Sequence, residues 1–313
     1  MKLEQLKYIV EIADTGSISH AAESLQITQP TISQSIASLE KDLKLKIFTR
    51  SRLGTQPTEA GKIIIQQARV ILSKVNELEE MISVQSSQLS GSLSISAIPS
   101  FSLNILPKAL NLFKIQYPEV HIKLFEGGSI FTNQLVLEEK IDLGLTSLRH
   151  DSEIDPRLSF KPLLTSKMIA YVGQYSPLAK KRTVSLKEIV QYPIVLFDEG
   201  YATNYFMGEK LEKFGKPNIV FTSGNSESMK KVISESFAVG FYGDVSVQSD
   251  PYVLSNQILP IYIEEEVDSY SYHGIVTKKS LPISLIAQKF IDELRNQTES
   301  FKRVYNLQDY SKK

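Results

Sequence analysis

Between Thr58 and Pro99 the chain carries no proline, and Ile64, Ala68, Ile71, Val75, Leu78, Ile82 and Gln85 follow one another there at intervals of four, three, four, three, four and three residues. A side chain repeating every 3.5 residues lies along one face of a helix, the stripe of a two-stranded coiled coil. A helix of about 30 residues spans roughly 45 Å. Ile65, Leu72 and Met81 widen the stripe. Left alone, it would stay in water. A second copy of the chain is the economical cover, and packing on the chain's own remainder is the alternative. This helix also divides the chain into a short leading block and a longer trailing region.

The leading block reads as three short helices. Leu3, Leu6, Ile9, Val10 and Ala13 have helical spacing, and Gly16 breaks the run. Ser17 is a candidate cap for a second helix that turns Ile18, Ala21, Ala22 and Leu25 inward. Thr28 offers the next cap, and Pro30 falls in the first turn of a third helix, where its missing N–H costs nothing. That helix buries Ile32, Ile36, Leu39 and Leu43.

Its opposite face carries Gln29, Thr31, Ser33, Gln34, Ser35 and Ser38, with no charge before Glu40. Surface helices ordinarily carry Lys and Glu. Short uncharged donors and acceptors suit base edges and phosphates instead. Two short helices around a tight turn, the second with such a face, read as a helix-turn-helix. A plain three-helix bundle with a serine-rich face is the other reading. Next, Lys41, Lys44, Lys46, Arg50 and Arg52 face a single acid, Asp42, across twelve residues. Alternating Leu45 and Ile47 followed by Gly54 suggest a two-stranded wing whose basic tip sits over a phosphate backbone; a solvated charged hairpin is the alternative.

Together the segment AAESLQITQPTISQSIASLEKDLKLKIFTR and the later Thr58-Glu59-Ala60-Gly61 resemble the winged helix-turn-helix of LysR-type transcriptional regulators. The resemblance rests on Ala21-Ala22, Thr28-Gln29-Pro30, Ser33, Leu39-Glu40, Leu45-x-Ile47-Phe48-x-Arg50 and that final tetrapeptide, all in register. It implies DNA contacts from Gln29, Pro30, Thr31, Ser33, Gln34, Ser35, Ser38, Arg50 and Arg52. Two positions depart from the family pattern. Gln34 stands where Arg is common, which leaves a neutral phosphate donor. Lys44 stands where Gly is common, at a helix end that often turns left-handed, at a cost of about 1 kcal/mol.

The resemblance also implies an α/β chain with a head at 1–58, a linker and dimerisation helix at 59–88, and an effector-binding region at 91–313. That region would resemble a periplasmic binding protein, with two Rossmann-like subdomains: one near 91–165 and 270–313, the other near 166–269. In the family the long helix pairs two heads, so Ile64, Ala68, Ile71, Val75, Leu78 and Ile82 become the dimerisation set, in a homodimer or homotetramer. The segment 83–92, rich in Ser, Gln and Gly, reads as a flexible hinge.

Past Leu93 strand patterns alternate with helical ones, which predicts parallel sheets covered on both faces. Ligands in such sheets bind beyond the carboxyl ends of strands, against helix N-termini. That rule nominates Ser100, Phe101 and Ser102, then Gly128 and Ser129, Thr146, Ser147 and Arg149, Thr203 and Asn204, Asn225 and Ser226, and Asp244. Each is equally well a cap or turn residue; the set gains weight because it lines one rim. The resemblance singles out Ser100–Ser102 and the region of Thr146. Arg149 is the candidate for a bidentate pair with an effector carboxylate.

Composition removes other classes. There is no cysteine, hence no thiol chemistry, and His20, His121, His150 and His273 are scattered. No metal, cofactor or catalytic residue is expected: the sequence has no nucleophile elbow, Walker A, zinc-protease or dinucleotide fingerprint. Glu264–Glu266 reads as a solvated acidic run. Glu4, Glu11 and Asp14 interrupt the first apolar stretch, and no run of about 18 apolar residues occurs, so a cytoplasmic protein off the membrane is expected. Lys+Arg and Asp+Glu both count 35, so basic charge is focused on 41–52 rather than spread. The expected partners are double-stranded promoter DNA, a small effector and, as the resemblance implies, RNA polymerase. A cytosolic small-molecule-binding protein with no direct regulatory role is the alternative.

Overall fold

The computed structural model describes residues 1–51, 54–85, 89–266 and 270–312. The chain divides into two compact units, Met1–Ser87 and Gln88–Lys313.

The first unit contains α1 (Leu3–Thr15), α2 (Ile18–Ser24), α3 (Gln29–Leu43), the antiparallel pair β1 (Phe48–Ser51) and β2 (Gly54–Pro57), and α4 (Glu59–Gln85). Local chemistry sets the ends. Gly16 closes α1 at φ +65°, and Ser17 Oγ accepts the His20 N–H to start α2. Thr28 Oγ1 accepts the Thr31 N–H at the start of α3, with Pro30 in the first turn. Lys44 ends α3 in the left-handed conformation, φ +55°. Leu6, Ile9, Ile12, Ala21, Ala22, Ile32, Ile36, Leu39 and Ile47 form the core, each Ile or Leu worth about 1.5–3 kcal/mol of burial.

The 3.5-residue stripe of α4 is split. Ala68 and Ile65 are buried in this core, and Ile64 and Leu72 pack on it. Within the chain itself, α1 and its neighbours bury Ala68 and partly cover Ile64. Ile71 and Leu78 remain 41% and 59% exposed, and Val75 is half-buried. The Ile82 side chain lies outside the described residues. The expected hinge is shorter than 83–92, because residues 83–85 continue α4 and Gly91 opens a strand; 86–88 lie outside the described residues.

The second unit has two lobes. The first holds β3 (Gly91–Ala97), α5 (Pro99–Asn104), α6 (Leu106–Gln116), β4 (Val120–Glu126), α7 (Ser129–Leu137), β5 (Leu143–Arg149) and β6 (Leu158–Ser166). The second lobe runs through β7 (Met168–Gly173), β8 (Thr183–Val184), α8 (Leu186–Ile189), β9 (Pro193–Phe197), α9 (Ala202–Glu212), β10 (Asn218–Ser223), α10 (Ser226–Ser234), β11 (Gly240–Gly243), α11 (Pro251–Leu254) and β12 (Ile258–Ile263). The chain then returns to the first lobe as β13 (Ser271–Lys278) and α12 (Leu285–Tyr305).

The first sheet has the order β4-β3-β5-β13-β6, the second β11-β7-β12-β8, and β9 pairs β10 in parallel. Both larger sheets are mixed, which corrects the expectation of parallel ones. β13 runs antiparallel to β5 and β6, and β7 antiparallel to β11 and β12. The antiparallel strands include those that carry the chain between lobes. Only Lys167 separates β6 from β7, so the first crossing is a single residue. Among the described residues no helix is long and apolar enough to cross a membrane.

The acidic run is not simply solvated. Both carboxylate oxygens of Glu265 accept the Leu186 N–H, at 3.0 and 2.9 Å, and Glu264 accepts the Thr183 hydroxyl at 3.0 Å.

Candidate nucleic-acid interface and ligand cleft

In the first unit α3 turns Ile32, Ile36 and Leu39 into the core, which leaves Gln29, Pro30, Thr31, Gln34 and Ser38 exposed. Ala37 and Lys41 share the exposed surface, two positions that the polar pattern alone does not single out. Ser33 and Ser35 sit on the flanks, half-buried, and the Ser35 carbonyl accepts from Gln5 Nε2 at 3.2 Å. Arg52 and the Arg50 side chain lie outside the described residues.

The strand pair is anchored to the end of α3 by a buried acid. Glu40 Oε1 accepts the backbone N–H of Ile47 at 2.8 Å and of Phe48 at 3.2 Å, and Lys46 Nζ donates to Oε2 at 2.6 Å. Burial alone would raise the Glu40 pKa, but the Lys46 ammonium and the two N–H groups outweigh it and hold the carboxyl below its ordinary range. Thr58 completes the anchor. Its Oγ1 donates to the Lys46 carbonyl at 2.7 Å and accepts the Gly61 N–H at 2.8 Å. A Cβ on Gly61 would lie 2.0 Å from the Ile47 carbonyl oxygen, so only glycine fits there. Thus Glu40, Thr58 and Gly61 fix the posture of the strand pair, while Glu59 and Ala60 between them stay exposed.

In the second unit a cleft of about 820 Å³, its open mouth included, lies between the lobes. The first lobe contributes Ser100, Ser129, Ser147, Arg149 and His273, and the second Phe197, Tyr201, Thr203, Phe206 and Tyr242. Ser166, Lys167 and Met168 line it at the crossing. One wall is therefore hydroxyl-rich and the other aromatic. Five nominated residues meet here: Ser100, Ser129, Ser147, Arg149 and Thr203.

The other nominated residues do not line this cleft. Phe101 is a core residue of the first lobe, because α5 turns it inward. Ser102 Oγ and Thr146 Oγ1 are buried without a hydrogen-bond partner. Gly128 faces a separate recess, where a Cβ would sit 2.1 Å from the Gly200 carbonyl oxygen. Asn225 caps α10 by accepting the Ser228 N–H at 2.9 Å. Asp244 is engaged behind the cleft by Ser166, Lys167 and Tyr310.

His273 is a cleft residue that sequence reasoning misses, because a lone histidine in a strand pattern carries no signal. Burial lowers its pKa to about 4, so it is neutral near pH 7, and its Nδ1 lies 3.2 Å from Ser100 Oγ. Ser129 and Ser147 hydroxyls pair at 2.9 Å. Arg149 is already engaged: Nε donates to Asp151 Oδ1 at 2.8 Å, Nη2 bonds Oδ2, and the guanidinium lies 4.1 Å from the Phe206 ring centroid. Lys210 Nζ lies over the same ring at 4.3 Å, and burial, reinforced by Arg149, lowers its pKa to about 8. Among the described residues no cluster of His, Cys, Asp and Glu could hold a metal.

Comparison with known proteins covers both units. Residues 3–62 match the family model described as a bacterial regulatory helix-turn-helix protein of the lysR family, and residues 86–299 match the LysR substrate binding domain. An uncharacterized HTH-type transcriptional regulator of Bacillus subtilis, YvbU, is 26% identical over 95% of this chain and 98% of its own length. A full-length OxyR variant from Pseudomonas aeruginosa superposes with a TM-score of 0.69 at 19% identity, covering 96% of this chain and 95% of that one. Full-length CbnR complexed with its target DNA has a TM-score of 0.57 at 19% identity, covering 95% of this chain and all of that one.

Proposed function

The chain belongs to the LysR family of transcriptional regulators, a DNA-binding protein with an effector-binding domain, and we propose from that premise how its own residues do the work. The exposed, uncharged face of α3 enters the major groove. Gln29, Thr31, Gln34 and Ser38 contact bases and phosphates there, Pro30 packs on the backbone, and Ser33 and Ser35 contact it from the flanks. Arg50 and Arg52 sit over phosphates beside it. The observation that carries this reading is a polar α3 face whose C-terminal end is anchored through Glu40 to the strand pair that follows.

The effector occupies the cleft, its ring or apolar face against Phe197, Tyr201 and Tyr242 and its polar edge toward Ser100, Ser129 and His273. An effector carboxylate takes the place of Asp151 on Arg149, whose guanidinium rests over the Phe206 ring. Binding favours one arrangement of the lobes, and through it one arrangement of paired heads, changing DNA bending or contact with RNA polymerase. Pairing uses the exposed part of α4, Ile71 and Leu78, in a homodimer or homotetramer in the cytoplasm. CbnR, of the same fold, is described in complex with target DNA, which supports the DNA half of this reading.

A nuclease footprint on the DNA upstream of the chain's own gene, repeated with small organic acids and with uncharged aromatic compounds, tests it. A footprint that one compound lengthens or shortens supports regulation by the cleft. Compound binding with no change in the footprint would favour a binding protein without a regulatory role.

A further inference from the structure

Beyond α12 the chain does not trail into solvent. Asn306 ends α12 in the left-handed conformation, φ +49°, its N–H donating to the Lys302 carbonyl. Leu307 then packs on the first lobe's core. The Gln308 carbonyl accepts the Thr165 hydroxyl at 3.3 Å, and the same Thr165 Oγ1 accepts the Tyr310 N–H at 3.0 Å. Tyr310 Oη donates to Asp244 Oδ2 at 2.6 Å.

Asp244 joins three parts of the molecule. Its Oδ1 accepts the Ser166 hydroxyl at 2.8 Å and the Lys167 N–H at 3.0 Å, and its own N–H donates to the Lys167 carbonyl at 2.8 Å. It directly follows β11 of the second lobe, and the next residue, Val245, is buried in the first lobe's core. Ser166 ends β6, Lys167 is the single-residue crossing to the second lobe, and both line the cleft. The Lys167 ammonium lies 4.7 Å from the Tyr310 ring centroid, so the tyrosine also positions a cation of the cleft wall.

We infer that segment 306–312, acting through Tyr310, is a strap that fixes the crossing between the lobes and so sets their separation and the placement of Lys167. Tyr310 and Asp244 are positioning residues; they act on the cleft through Ser166 and Lys167. The regulatory meaning of the strap rests on the cleft being the effector site, but its mechanical role does not. Hydrogen bonds to a carboxylate held at the meeting point of both lobes can bias a two-state hinge.

The chain lacks cysteine, so spin labels can be placed without background. Lys108→Cys on the first lobe and Lys187→Cys on the second, both exposed, report lobe separation in the full chain diluted with unlabelled protein. Tyr310→Phe, which removes one hydroxyl, and deletion of 306–313 should each shift the distance distribution or at least double its width, without effector or DNA. Distributions from both variants that superpose on the parent would overturn the strap. The effector reading is tested separately by repeating the footprint with Tyr310→Phe. A shifted distance with an unchanged footprint keeps the strap and removes its link to DNA.

Discussion

Glu40 Oε1 accepts the Ile47 N–H at 2.8 Å, and through this bond the end of α3 holds the start of the strand pair beside it. The acid is 8% exposed, and it also satisfies the Phe48 N–H. Glu40→Ala strands the buried Ile47 donor, at about 1–3 kcal/mol, and leaves the half-buried Phe48 N–H without its acceptor. Thermal unfolding should register the loss, and DNA affinity should fall with it. The folded-state pKa of Glu40 lies below 4.5, so this stability is present above about pH 4.5 and disappears as pH falls through the folded value. A parent and a variant with identical acid unfolding profiles would contradict this.

His273 gives a second pH dependence with the same sign. Its ordinary pKa of 6.5 is lowered to about 4 by burial. Between those values the unfolded chain binds a proton that the folded chain refuses, so stability drops as pH falls from about 6.5 toward 4. His273→Gln should flatten that part of the stability curve measured by denaturant titration.

Gly128 and Gly200 meet backbone to backbone where the lobes touch, and the Phe131 N–H donates to the Gly200 carbonyl at 3.4 Å. The Cβ of Gly128→Ala has no room at 2.1 Å from that oxygen, so the lobes must part there. Amide exchange in peptides spanning 128–132 and 198–204 should quicken by about tenfold, the equivalent of roughly 1.4 kcal/mol in local opening. Peptides from β3 should be unaffected.

Ile71 and Leu78 are large exposed apolar residues on α4, whereas Ala68 is consumed by the head. Ile71→Glu with Leu78→Glu should lower the sedimentation coefficient of the full chain toward that of the monomer, with helix content retained. An unchanged coefficient would move the pairing surface elsewhere.

What is legible in the sequence follows from how local each signal is. Gly16, Ser17, Thr28 and Pro30 set helix ends through their nearest neighbours, so the helical head can be read residue by residue. β6 and β12 escape the strand pattern because Pro162 and Pro260 sit inside them. β6 tolerates its proline as an edge strand with a register shift opposite His273 and Gly274, and Pro260 pairs only with Tyr171 of β7. The cleft rim rule finds Ser100, Ser129, Ser147, Arg149 and Thr203, at strand ends or in the turns and helix starts that follow them. It cannot find His273 or Lys167, which reach the cleft from crossing strands far apart in sequence. Asp244 obeys the rule by position yet is taken up by Tyr310, a contact between residues 66 apart that no local pattern encodes.

The most direct test is binding of the purified full chain to short duplexes tiling the DNA upstream of its own gene, followed by fluorescence anisotropy at fixed salt. The account predicts one duplex retained against excess unrelated DNA, with affinity falling steeply as salt rises. In a Gln29→Ala, Thr31→Ala variant that preference should weaken by about 1–3 kcal/mol per lost base contact while the melting temperature stays put. Equal binding to every duplex, or an unchanged preference in the variant, would contradict the assignment of α3 as the reading helix.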